Sequence, residues 1–131
     1  MKKIMLCYDG SNVAGEALRV AGRQARAFSS TVFVATSLVG GAQTPQEEID
    51  KAEQDIEYAA GVLRDEGIEA EAHLLVRGLE PGEDLLQFCR EKEMDLVVLG
   101  VRKRSRVGKL LFGSTARFLI LEAPCPVLSV K

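Results

Sequence analysis

Residues 95–115 read DLVVLGVRKRSRVGKLLFGST. Leu96-Val97-Val98-Leu99 is an uninterrupted apolar run, the pattern of a strand buried on both faces in a parallel sheet. Gly100 breaks it into a loop carrying Arg102, Lys103, Arg104, Arg106 and Lys109, five cations in eight residues. Gly113-Ser114-Thr115 then supplies small hydrogen-bonding residues suited to a helix start. A buried strand, a cationic loop and a helix N-terminus are the parts of an anion site, because free backbone N–H groups and the helix dipole both favour phosphate. The same loop also reads as a solvated surface segment, or as one that docks an acidic partner.

Outward from this stretch, the chain alternates. Ile4 to Tyr8 is a short apolar run ending at the Asp9-Gly10-Ser11 turn. Ser11 is placed to cap a helix whose apolar positions are Ala14, Ala17, Leu18, Ala21, Ala25 and Phe28. Thr31 to Val39 is rich in β-branched residues and predicts a second strand. Thr44-Pro45-Gln46-Glu47 has the spacing of a capping box with Thr44 as N-cap. It opens a helix with Ile49, Ala52, Ile56, Ala59 and Leu63 on one face, stopped at Gly67. Ile68 to Val76 alternates apolar and polar residues, which marks a strand near a sheet edge. Glu80-Pro81-Gly82-Glu83-Asp84 starts a third helix with acids favourable to its dipole, and Leu85, Leu86 and Cys89 form its core side. Beyond the basic loop come a short helix over 114–121, a break at Pro124-Cys125-Pro126, and a last strand at 127–130.

The order β-α-β-α-β-α-β-α-β predicts an α/β domain: one open, five-stranded, parallel, doubly wound sheet with helices on both faces, spanning residues 1–131. A chain of 131 residues buries a sufficient core without staples. The net charge of −2 makes the basic loop a local feature and argues against a nucleic-acid partner. No run approaches the roughly 20 apolar residues of a membrane span or the core of a signal peptide, so the expectation is a cytoplasmic protein with no membrane partner. Cys7, Cys89 and Cys125 are widely spaced and read as small buried hydrophobes, which argues against disulfides, zinc and redox chemistry.

In such a sheet, ligands bind beyond the carboxyl ends of the strands where strand order reverses. Asp9 ends the first strand and Gly100 the fourth, so the two face each other if those strands are neighbours. Asp9 would repel phosphate and suits ribose hydroxyls or a base amino group; it reads equally as a turn-forming or capping acid. Gly108-Lys109 is followed by Leu110, so the Walker A hydroxyl for magnesium is missing. The single histidine, His73, reads as a solvated edge-strand side chain, leaving neither a Ser/His/Asp set nor a metal site.

These residues resemble the universal stress protein domain over essentially the whole chain. The resemblance rests on the first strand ending in Asp9-Gly10-Ser11, on Ala17-Leu18, and on the closing Pro124-Cys125-Pro126-Val127-Leu128-Ser129-Val130. Most specific is the nucleotide signature G-x2-G-x9-G-[S/T], matched in register by Gly100, Gly113 and Ser114. The second glycine is replaced by Lys103, which keeps the backbone from close approach but offers an ammonium. The resemblance implies a Rossmann-like, adenine nucleotide α-hydrolase-like fold and a stress-response sensor or regulator that binds ATP, AMP or ADP. Mg or Mn would be held through the phosphates, and ATP hydrolysis would be slow at most. Asp9 and the backbone near Val39 would contact the adenosine half, and Gly100, Gly113, Ser114 and Thr115 the phosphates; charge alone adds Arg102 and Lys103. It also implies a homodimer paired through the last strand, alongside an unidentified protein partner. The alternatives are a scaffold of the same family that binds no nucleotide and, with less support, an adenylating enzyme of a related fold.

Overall fold

The computed structural model describes residues 1–103, 110–111 and 113–131. In chain order the elements are β1 (Lys3–Cys7), α1 (Asn12–Phe28), β2 (Thr31–Ser37), a 3-10 turn (Gly41–Gln43), α2 (Gln46–Asp65), β3 (Ala70–Leu75), α3 (Pro81–Glu91), β4 (Leu96–Gly100), β5 (Arg102–Lys103), β6 (Leu110–Leu111), α4 (Ser114–Glu122) and β7 (Val127–Val130). Among the described residues, five strands form one parallel sheet in the order β3-β2-β1-β4-β7. The chain winds outward from β1 to one edge, then crosses back to build the other half. Strand order therefore reverses between β1 and β4, which pair through Ile4↔Leu96 and Leu6↔Val98.

Both sheet faces are covered, as continuous apolar runs demand. Ile4, Leu6, Val32, Val34 and Val98 point to α1 and α2; Met5, Phe33, Ala35, Val97 and Leu99 point to α3 and α4. The alanine face of α1 lies on the sheet as its spacing predicts, except that Phe28 at its last turn is 53% exposed. By Phe28 the helix is ending, at the left-handed cap residue Ser29.

Two further expectations, the α2 cap and His73, are corrected, and two contacts that the sequence did not carry are added. Pro45, not Thr44, caps α2, without a side-chain bond; Thr44 Oγ1 instead accepts the Gly40 N–H at 3.0 Å and closes the preceding turn. His73 is half-buried, not fully solvated: although β3 is an edge strand, the Phe88 ring of α3 reaches over its imidazole. The imidazole lies between the rings of Phe33 and Phe88, at 5.8 and 5.0 Å, with Nε2 2.9 Å from Glu71 Oε1. Cys89 and Cys125, 36 residues apart, meet with sulfurs 3.9 Å apart where α3 packs on the turn before β7. Both are free thiols, and burial, aided by Cys125, pushes the Cys89 thiol up to about 12. Finally, the basic loop is bracketed by β5 and β6, an antiparallel ribbon pairing Arg102↔Leu111 and Lys103↔Leu110. Strands of two residues are too short to leave a periodicity in the sequence. Arg104, Arg106 and Lys109 lie outside the described residues.

Candidate functional site

The carboxyl ends of β1, β2 and β4 open onto a cleft of about 410 Å³ on the face covered by α3 and α4. Its size is that of a small-molecule site. Asp9, Gly100, Gly113, Ser114 and Thr115 line it together, although they come from three separate parts of the chain. Val39 does not line it; its carbonyl accepts the Gly78 N–H at 3.1 Å, and Leu38 occupies the corresponding wall. Arg102 and Lys103 form β5, immediately beyond Val101.

Each lining residue is held by local structure. Gly10 has φ +78°, and a Cβ there would stand 2.6 Å from Asp55 Oδ2 on α2, so the β1–α1 turn admits only glycine without rearrangement. The turn is tightened by Asp9 Oδ1, which accepts the Ser11 N–H at 3.0 Å, and by Ser11 Oγ, which accepts the Ala14 N–H at 3.2 Å. Gly100 has a packing reason of its own: a Cβ would fall 2.9 Å from Val13 Cγ1 and 3.1 Å from the Val13 carbonyl, so glycine lets the first turn of α1 lie on β4. Gly113 differs. It caps α4 in an extended conformation, and a Cβ there would meet nothing within 4 Å among the described residues.

The opening turn of α4 brings the backbone N–H groups of Ser114, Thr115 and Ala116, which have no partner within the helix, to one end of the cleft. That end suits an anion. Leu38, Pro81 and Leu85 also line the cleft and give it an apolar wall suited to a flat apolar group. Cys7 also lines the cleft, but burial pushes its thiol up to about 12, with Cys89 and Asp9 adding to the shift; it stays protonated near neutrality and is a poor nucleophile. Burial, followed by the charge of Asp55, likewise raises Tyr8.

Sequence reasoning reached the β2 wall only through the backbone near Val39 and missed Thr36 and Ser37. The rule that ligands sit beyond strand carboxyl ends, applied to β2 as well as to β1 and β4, nominates Thr36 and Ser37, which do line the cleft. It also missed the group behind that wall. Asp84, read as a dipole-favouring acid, is fully buried; its Oδ2 accepts the Ser37 hydroxyl at 2.7 Å and its Oδ1 accepts Arg77 Nε at 2.5 Å. Its position was signalled by spacing, since it falls three residues after Pro81 and four before Phe88 on the inward side of α3.

The profile described as the universal stress protein family matches residues 1–131. The chain belongs to that family. A universal stress protein encoded in the QAH/OAS sulfhydrylase 3' region of Thermus aquaticus is 32% identical over 136 residues, covering 99% of this chain and 98% of its relative. Among solved structures, a universal stress protein from Archaeoglobus fulgidus is 42% identical, with a TM-score of 0.91 and coverage of 100% of this chain and 98% of that one. A structure of the universal stress protein from the same organism in complex with dAMP is 38% identical, with a TM-score of 0.85 and the same coverage. This chain therefore shares its fold with the two Archaeoglobus fulgidus structures.

Proposed function

We propose that this universal stress protein binds an adenine nucleotide in the cleft between β1, β2 and β4 and acts as a cytoplasmic stress-response sensor or regulator. The observation that carries the reading is the convergence of Asp9, Gly100, Gly113, Ser114 and Thr115 on one cleft at the strand-order reversal. The dAMP complex of the Archaeoglobus fulgidus relative supports it. The phosphates sit at the N-terminus of α4, within reach of the β5 end of the basic loop. The adenosine half lies toward Asp9 and the β2 wall, with Leu85 and Leu38 against the base. AMP, ADP and ATP share this frame; with ATP, Mg or Mn is held through the phosphates. Cys7 is a neutral thiol and Asp9 is engaged in a turn, so no described lining residue is a strong general base. ATP turnover accordingly stays below the roughly 1 per second of ordinary enzymes.

The chain also forms a homodimer through β7. Among the described residues no strand pairs with the outer side of β7, and Leu121 on the adjoining helix is 68% exposed. The nucleotide reading is tested by denaturing freshly purified protein and chromatographing the supernatant, with calorimetric titration of AMP into stripped protein. Recovered adenine nucleotide or a saturable heat supports it; neither one contradicts it and favours a scaffold.

A further inference from the structure

Ser37 ends β2 on the same face as Phe33 and Ala35, the face that carries the cleft, and it lines that cleft beside Leu38, Pro81 and Leu85. Strands stand about 4.8 Å apart, so β2, two places from β4 in the sheet, lies about 10 Å from that strand. On the nucleotide reading above, which sets the adenosine half toward the β2 wall, Ser37 belongs to the base end. Its hydroxyl has a single proton, and that proton is committed: the fully buried Asp84 Oδ2 accepts it at 2.7 Å. The other carboxylate oxygen accepts Arg77 Nε at 2.5 Å, and Arg77 Nη2 donates to the Asp84 carbonyl at 3.1 Å. Arg77 Nη1 is anchored in turn on Glu91 Oε1 at 2.9 Å. A carboxylate paired with a guanidinium has only acceptors to offer, so Ser37 cannot turn its proton toward the cleft without leaving Asp84 unsatisfied in a buried position.

We propose that the Arg77–Asp84 pair fixes the Ser37 hydroxyl as an acceptor at the base end of the cleft, and that this selects purine nucleotides carrying a 6-amino donor over those carrying a 6-oxo acceptor. The proposal rests on the nucleotide reading above. Asp84 and Arg77 are positioning residues; only Ser37 meets the ligand. An amino group at position 6 donates to the Ser37 oxygen, whereas an oxo group there sets two acceptors against each other and leaves both desolvated and unpaired.

The isosteric change Asp84→Asn tests the mechanism by reversing the bond. Arg77 has donors only, so the amide oxygen must face Arg77 and the amide NH2 must face Ser37. Ser37 then accepts from the amide, and its own proton turns to the cleft. The measurement is the ratio of AMP to IMP affinity by calorimetry in the wild type, Asp84→Asn and Ser37→Ala. The wild type is expected to favour AMP by ~10-fold or more, the scale of one satisfied against one unsatisfied buried bond. Asp84→Asn is expected to lower that ratio by ~10-fold or invert it, and Ser37→Ala to bring it toward one. A purely structural role for Asp84 would weaken both nucleotides alike, and an unchanged ratio in Asp84→Asn overturns the proposal while the nucleotide reading stands. If Asp84→Asn does not fold, Ser37→Ala with the wild-type ratio overturns it in the same way. A wild type that binds neither AMP nor IMP overturns both.

Discussion

Asp95, one residue before β4, ties down the amino end of β1. Its Oδ2 accepts the N–H groups of Lys2 at 2.8 Å and Lys3 at 3.0 Å. The Lys2 bond, then the Lys3 bond, holds the carboxyl below the usual carboxylate range, with burial acting weakly the other way. A carboxyl whose pKa is lower folded than unfolded adds stability above its unfolded value, roughly 3.9, and loses it as pH falls through the folded value. Asp95→Asn should therefore cost about 1 kcal/mol or less at pH 7, given the exposure of the site. The gap should close as pH falls below the depressed pKa. Urea denaturation at pH 7 and at acid pH checks this, and a gap that persists in acid contradicts it. At this scale the sequence is legible where a residue acts through its neighbours in the chain. Ser11 as a cap and Gly67, with φ +80°, as a helix stop follow from local pattern alone. Asp84 shows the limit, because its partners Ser37 and Arg77 arrive from other elements, and an acid in a first helical turn otherwise reads as a solvated one.

Between elements, the decisive contacts are those that aim strand ends at the cleft. Gly100 and Val13 bring α1 down on β4, and Gly10 and Asp55 bring α2 up to the β1–α1 turn. Periodicity placed the helices and strands to within a few residues, since long apolar faces leave long signals. It did not reveal β5 and β6, which are two residues each, nor α2's cap, where Thr44 turns back to Gly40. The exposed element is β7. The Pro126 and Val130 carbonyls accept from Val97 on β4 and from Val101 just after it, at 3.0 and 2.6 Å, so the alternating backbone groups of Val127 and Ser129 point away from the sheet. Ser129→Pro removes an outward N–H and leaves the ladder to β4 in place. It should convert the proposed dimer to a folded monomer, seen as halved mass by light scattering with an unchanged circular dichroism spectrum. A variant that keeps the wild-type mass contradicts pairing through this edge.

For the whole molecule, the alternation of apolar strands and amphipathic helices was enough to give a parallel sheet covered on both sides, and right-handed crossovers follow from that order. The reversal between β1 and β4 then sets the first and fourth strand ends side by side, which is why residues about 90 positions apart, Asp9 and Gly100, share a cleft. The third wall, from β2 and α3, depends on how helices seat on the sheet, and no local spacing carries that information. Gly113 offers the most direct test of the nucleotide reading. Its extended backbone accepts a side chain, and a Cβ there meets none of the described residues within 4 Å, so Gly113→Val is expected to leave the fold intact while filling space at the α4 end of the cleft. Calorimetric titration of AMP into the stripped wild type and into Gly113→Val, both confirmed folded by thermal melting, should show binding to the first and at least ~10-fold weaker binding to the second. Equal affinity in the two proteins would contradict the placement of phosphate at the head of α4.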